Sequence, residues 1–204
     1  MHGGGKVLEA RARVGRGQGL RPDRGLERTV PRVEVVRTYL EMTEPQALRR
    51  AASPEPHARI ERVTGCPASF FRYLYAEVGR NYHWVDRLGW TDEDLRARLA
   101  SPAVSLHLLT VGGAPAGYFE LERRDDGSVE IAYFGLLPEF LGRGLGKYLL
   151  SQAAEAAWAL GPNRVWLHTC TLDDKAALPN YLARGFRPYR TESYATELQA
   201  ATGG

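Results

Sequence analysis

Cysteine is nearly absent from this chain: Cys66 and Cys170 are the only two in 204 residues. Two thiols this far apart supply neither a disulfide framework nor the spacing of a zinc site. No metal is expected, and a reducing cytoplasm is the expected setting. Long apolar runs are also missing. No stretch approaches the roughly 18 residues that a membrane helix needs, and no apolar block of the secretory kind stands near Met1. A membrane partner is therefore not expected. The chain is 44% hydrophobic and 25% charged, the balance of an ordinary globular domain. Its length allows a full core without covalent staples.

Acidic residues are scarce in one place. Residues 1–32 hold eight Lys or Arg against three acids, a net +5, whereas the whole chain carries +3. This segment is rich in Gly and has little apolar periodicity, so 1–32 is expected to be a disordered basic extension. Residues 199–204 are expected to be a flexible tail, leaving 33–198 as one domain. A basic arm can bind nucleic acid, but no aromatics interleave with these arginines. A nucleic-acid partner is not expected.

What the chain does have is a regular succession of elements. Val33–Leu40 reads as a strand, followed by Pro45 and a helix from Gln46. Phe70–Val78 places Phe70, Phe71, Leu74 and Val78 on one helical face. Thr91 caps a helix with acids in its first turn. Three strands follow, at 104–111, 117–123 and 129–137, with Gly112-Gly113 and Asp125-Asp126-Gly127 as turns. A helix over 143–160 ends at Gly161-Pro162. Val165–Thr171 is a strand, Asp173 caps a helix running to Arg184, and Phe186 onward supplies one or two strands. Three antiparallel strands followed by β-α-β-α-β predict an α/β (α+β) fold, a mixed sheet with helices on both faces.

One junction in this order points to chemistry. The strand ending at Leu137 meets Pro138, then three glycines at alternate positions (Gly142, Gly144, Gly146), then a helix. Unpartnered N–H groups and the dipole of a helix N-terminus favour an anion, and glycine lets it approach the backbone. A Walker A loop fails, because Tyr148 rather than Ser or Thr follows Lys147. A dinucleotide fingerprint fails too, because the spacing is G-x-G-x-G and the motif comes late in the chain.

The stretch Leu136–Lys147 (LLPEFLGRGLGK) resembles the acyl-CoA-binding core of the GNAT superfamily of N-acyltransferases. Leu141, Gly144 and Gly146 occupy the places of [RQ]-x-x-G-x-[GA]. Leu141 replaces the usual Arg or Gln, and Arg143 and Lys147 are expected to restore the charge. A second segment, DKAALPNYLARGF, is similar to the late signature N-x-x-A-x-x-x-Y-x-x-x-G-F. Ala177, Tyr181, Gly185 and Phe186 are in place, with Asp174 where Asn is usual.

The resemblance implies a mostly antiparallel sheet of 6–7 strands and acetyl-CoA as co-substrate. It also implies direct acetyl transfer to a primary amine of a small molecule or an exposed protein amine. A non-catalytic acyl-CoA-binding domain is the alternative, and a homodimer is compatible with the family. The implied donor contacts are Leu136, Leu137, Leu141, Gly142, Arg143, Gly144, Leu145, Gly146, Lys147, Asp174 and Tyr181. Leu136 is the expected oxyanion donor, where the strand Tyr133–Leu137 splays from its neighbour. Tyr181 is the expected general acid and Glu130 the general base, with Glu120 and His168 as weaker bases. Tyr82, Trp84, Tyr133 and His168 are expected around the acceptor, with the aromatic rings holding a cationic amine or an apolar body by stacking.

Overall fold

The computed structural model describes residues 32–198. The expectations for 1–31 and 199–204 lie outside the described residues, and Arg32, assigned above to the extension, opens the first strand. The strands are β1 (Arg32–Met42), β2 (Ala58–Val63), β3 (Val104–Val111), β4 (Ala114–Arg123), β5 (Val129–Leu136), β6 (Val165–Cys170) and β7 (Arg187–Glu197). The helices are α1 (Ala68–Gly79), α2 (Asp92–Ala100), α3 (Leu145–Trp158) and α4 (Ala177–Ala183). All seven strands form one sheet in the order β2-β3-β4-β5-β6-β1-β7. Among the described residues only the β5–β6 pair is parallel.

Two cores lie on opposite faces of this sheet. On one face α3 inserts Leu145, Leu149, Leu150 and Ala153 against Phe119, Leu121, Ile131 and Leu167, with Tyr181 and Phe186 at the margin. On the other, α1 presents Phe71, Leu74, Tyr75 and Val78 to Leu106, Tyr118 and Leu137. The period of three and four along α1 is what turns one stripe inward. Phe70, expected on that stripe, packs only partly buried at its edge. Glycine brings α1 close to the sheet: a Cβ at Gly135 would collide with Val78 Cγ1.

Thr91 and Asp94 form a reciprocal capping box at the start of α2, with Asp94 N–H on Thr91 Oγ1 at 3.2 Å and Thr91 N–H on Asp94 Oδ2 at 2.9 Å. Three expectations need correction. The helix from Gln46 is a single 3-10 turn, Pro45–Ala47, followed by an irregular segment containing Pro54 and Pro56. Proline there removes amide donors and cannot continue a helix. Next, β2 is an addition to the expected order of elements, an edge strand rich in charge (Arg59, Glu61, Arg62), a pattern that hides the period of two. Finally, Asp173 does not cap α4. It turns back to accept from Thr169 Oγ1 (2.7 Å) and Cys170 N–H (2.8 Å), closing the end of β6.

Candidate active site

The site begins where the sheet fails to pair. β5 and β6 are in register only at Val129↔Val165 and Glu130↔Trp166. Beyond Glu130 the two strands separate. The β4–β5 register slips between Glu120 and Leu121, which leaves Ala132 as an extra residue, a bulge that bends β5. Leu137 N–H donates to Ala116 C=O at 2.9 Å. The alternation of an antiparallel ladder then turns the N–H and C=O groups of Phe134 and Leu136 away from β4, into the gap. Leu136 thus offers a free N–H there. Leu137 does not fit the expected donor contact, because its N–H is taken by Ala116 and its C=O by Phe140.

The gap leads to the glycine turn. Gly142 (φ 74°) and Gly144 (φ 77°) are left-handed, and Gly144 is the N-cap of α3 with no side-chain cap. The first N–H groups of α3, from Leu145, Gly146 and Lys147, therefore have no intrahelical partner. A Cβ at Gly142 would meet nothing within 4 Å, and one at Gly146 only Leu136 Cδ1 at 3.9 Å. This open cradle of amides fits the pyrophosphate of a coenzyme A thioester. Leu145 contributes backbone alone, since its side chain is in the core. Leu141 is exposed beside the turn and brings no charge. Arg143 departs from expectation: its Nε (3.0 Å) and Nη2 (2.6 Å) both hold Glu55 Oε1, so its charge is already matched. Lys147 is exposed with no ion pair among the described residues, and it is the cation left at the rim.

At the other end of the gap a cavity of about 290 Å³ opens, with Asp86, Arg87, Glu122, Arg124, Tyr133 and His168 in its wall around Glu130. Glu130 is 4% exposed, a buried carboxylate on a central strand rather than a solvated edge residue. Burial pushes its pKa up, and the Arg124 guanidinium opposes that rise. Arg124 Nε donates to Glu130 Oε2 at 2.9 Å, and Arg124 Nη2 contacts the same oxygen. Arg124 also pairs with Glu122 at 2.9 Å. Glu122 in turn binds Arg98, which pulls its carboxyl below the usual range. Glu120 is not available as a base: it is fully buried, and Arg87 and Arg98 occupy both its oxygens.

The expected aromatic wall is largely occupied as well. Tyr133 carries the Arg87 guanidinium over its ring at 4.3 Å, and burial keeps its phenol protonated. Trp84 packs against Tyr75, Tyr118 and Tyr133, as part of the core under α1. Tyr82 stands elsewhere, its hydroxyl donating to Asp174 Oδ2 at 3.2 Å. Asp174 Oδ1 accepts from Ala176 N–H at 2.8 Å, so this residue caps the turn before α4 and also ties that turn to the loop after α1. Tyr181 lies on α4, buried between Phe134 and Phe186, with its pKa raised by burial. It belongs to the α3–α4 face, whereas Tyr133, beside the Glu130 cavity, packs with the α1–α2 face. A wider hollow of about 700 Å³ between α2 and β3 has Arg62, Arg96 and Asp92 exposed at its rim and is remote from Glu130. Among the described residues, no three His, Cys, Asp or Glu side chains cluster as metal ligands.

This arrangement agrees with what the chain resembles. The model of the Acetyltransferase (GNAT) family matches residues 71–186, more than half of the chain. The chain belongs to the GNAT acetyltransferase family. A mycothiol acetyltransferase of Kineococcus radiotolerans is 36% identical over 116 residues, 56% of this chain and 36% of that protein. A GCN5-related N-acetyltransferase from Kribbella flavida superposes with TM-score 0.58 at 22% identity, over 80% of this chain and 58% of that one. An aminoglycoside acetyltransferase from an uncultured soil sample superposes with TM-score 0.53 at 14% identity, over 65% of this chain and 90% of that one. The two structural likenesses carry the fold. The GNAT chain described here spans about a third of the mycothiol enzyme's length.

The pattern reading of this GNAT domain missed Arg87, Arg98 and Arg124. A signal was present in β4, where Glu120 and Glu122 alternate with Phe119 and Leu121 in a strand that carries no charge as far as Phe119. Two inward acids at a period of two call for buried cationic partners.

Proposed function

We propose that this GNAT acetyltransferase moves an acetyl group from acetyl-CoA to a primary amine of a small molecule or an exposed protein amine, directly, with both substrates bound. The observation that supports this most is the β5–β6 gap, which joins the amide cradle of α3 at one end to a cavity with a buried carboxylate at the other. When bound, the coenzyme supplies an activated acetyl thioester. The amides of Leu145, Gly146 and Lys147 hold the pyrophosphate, with Lys147 adding charge. Phe134 and Leu136 present backbone groups to an extended pantetheine chain in the manner of an added strand. Leu136 N–H stabilises the carbonyl oxygen as negative charge develops on it.

Glu130 takes the proton from the incoming amine. Its raised pKa brings it closer to working pH than a surface carboxylate. Tyr181 keeps its proton because it is buried, and gives it to the departing sulfur. A mere acyl-CoA-binding domain would need the cradle but not the carboxylate.

The deciding experiment is calorimetric titration with acetyl-CoA of the wild type and of Gly144→Glu, followed by assay of CoA release with a panel of amines. Micromolar binding lost in the variant, with amine-dependent release of CoA, is the expected result. Absence of binding by the wild type would overturn the reading, and binding without release for any amine would leave the sensing role in its place. Glu130→Gln should lower kcat/KM by roughly 10²–10⁴-fold while leaving acetyl-CoA binding intact.

A further inference from the structure

We propose that His168 is a second catalytic residue, which carries the amine proton from Glu130 Oε1 to the open face of β6, β1 and β7. The inference rests on the acetyltransferase reading above. Its basis is that the two oxygens of Glu130 are not equivalent. Oε2 is committed to Arg124. Oε1 has no hydrogen bond among the described residues, and it faces His168 Nε2 at 3.9 Å. That separation is too long for a direct hydrogen bond, but one amine nitrogen or water oxygen can bridge it at about 2.8 Å from each side. The pair also spans a gradient of exposure: the Glu130 side chain is 5% exposed and that of His168 is 38%.

The imidazole is positioned without being consumed. The ring of Tyr39 meets it edge-on, with centroids 5.7 Å apart. Neither ring nitrogen makes a hydrogen bond to another described residue. Besides Glu130, the charged groups facing it are Arg37 from β1, Glu192 from β7, Asp173 from the end of β6 and Asp86 from the loop after α1. Burial, then Arg37, lowers the pKa of His168 and keeps the resting ring neutral and able to accept.

The proton inventory closes. An N–H bond of the substrate ammonium breaks as Glu130 Oε1–H forms, and the proton passes from there through a bridging water to His168 Nε2. The imidazolium loses a proton to water at the mouth, so both residues return to their starting charges. The lone pair freed on the amine forms the new C–N bond, the thioester C–S bond breaks, Tyr181 protonates the sulfur, and the second N–H proton, lost by the acylated nitrogen, restores the Tyr181 phenol. Arg124 is a positioning residue in this scheme, because it makes Oε1 the oxygen that works.

Two measurements test the relay. The first is kcat/KM against pH for the wild type, His168→Gln, and His168→Ala with and without added imidazole. His168→Gln is expected to fall roughly 10²-fold with acetyl-CoA affinity unchanged, and imidazole to restore part of the His168→Ala rate. Retention of wild-type kcat/KM within about twofold, with the same pH profile, would overturn the proposal. The second needs no substrate: NMR titration of the His168 ring in the wild type and in Glu130→Gln. Loss of the facing carboxylate should lower its midpoint, and an unchanged curve would refute the pairing. If no amine is turned over while His168 still senses Glu130, the contact is structural, and both the relay and the acetyltransferase reading fail.

Discussion

Glu120 is the most deeply buried acid in the described chain, and its environment shows what a charge inside a sheet demands. Arg87 donates to both oxygens (2.6 and 2.8 Å) and Arg98 to one of them (2.7 Å). Removing Arg87 leaves Glu120 Oε2 buried without a donor and Arg98 as the one cation still paired to that carboxylate among the described residues. Arg87→Leu should therefore cost about 3–5 kcal/mol in urea unfolding, and Arg87→Leu with Glu120→Leu should recover a large part of it. His107 poses the opposite case. It stacks on Phe119 with centroids 4.5 Å apart, and burial, reinforced by Arg62, pushes its pKa down to about 4. The folded state binds this proton more weakly than the unfolded chain does, so stability is full above about pH 6.5 and is lost as pH falls towards 4. His107→Phe keeps the stacking and should flatten that acid limb in thermal melts. Gly144 is legible from glycine spacing and proves to be the left-handed N-cap of α3, whereas Tyr181 and Glu130 enter through the resemblance. Arg143 is not legible, because Glu55, which neutralises it, lies 88 positions away in the chain. Leu137 is not either, since the phase of a ladder depends on the partner strand.

Elements with a strong period were legible, and those governed by context were not. The apolar stripe of α1, the capping box of α2 and the glycine start of α3 are each written in a few adjacent residues. β2 is an edge strand that takes its conformation from β3, and α4 is shortened to Ala177–Ala183 by a preceding turn closed on Asp174. At this scale α3 holds the sheet and the cradle together. Leu149 is fully buried in the core beneath it. Leu149→Ala should cost about 2–5 kcal/mol, read as a lower urea midpoint with an unchanged slope. The connection from α4 to β7 is as demanding: Gly185 has φ 103°, and a Cβ there would strike the Ala47 carbonyl. Gly185→Ala should lose more than about 1 kcal/mol in the same assay.

At the scale of the whole molecule, the sheet separates the core under α3 and α4 from the core under α1 and α2. The tyrosine expected to protonate the sulfur packs with α3 and α4, and the cavity beside Glu130 is walled in part by the loop that follows α1. Residues from that loop, β4, β5 and β6 meet there, so the acceptor side can be reshaped by changes that leave the glycine turn alone. The place where β5 leaves β6 has one more consequence, for the clock of hydrogen exchange. A strand in the middle of a seven-stranded sheet ordinarily protects every amide, yet in β5 protection should alternate. The amides of Phe134 and Leu136 should exchange with deuterium rapidly while those of Tyr133 and Gly135, bonded to β4, stay slow. Bound acetyl-CoA should erase that alternation, so a pulse of deuterium would read occupancy of the donor channel amide by amide before any acceptor is known.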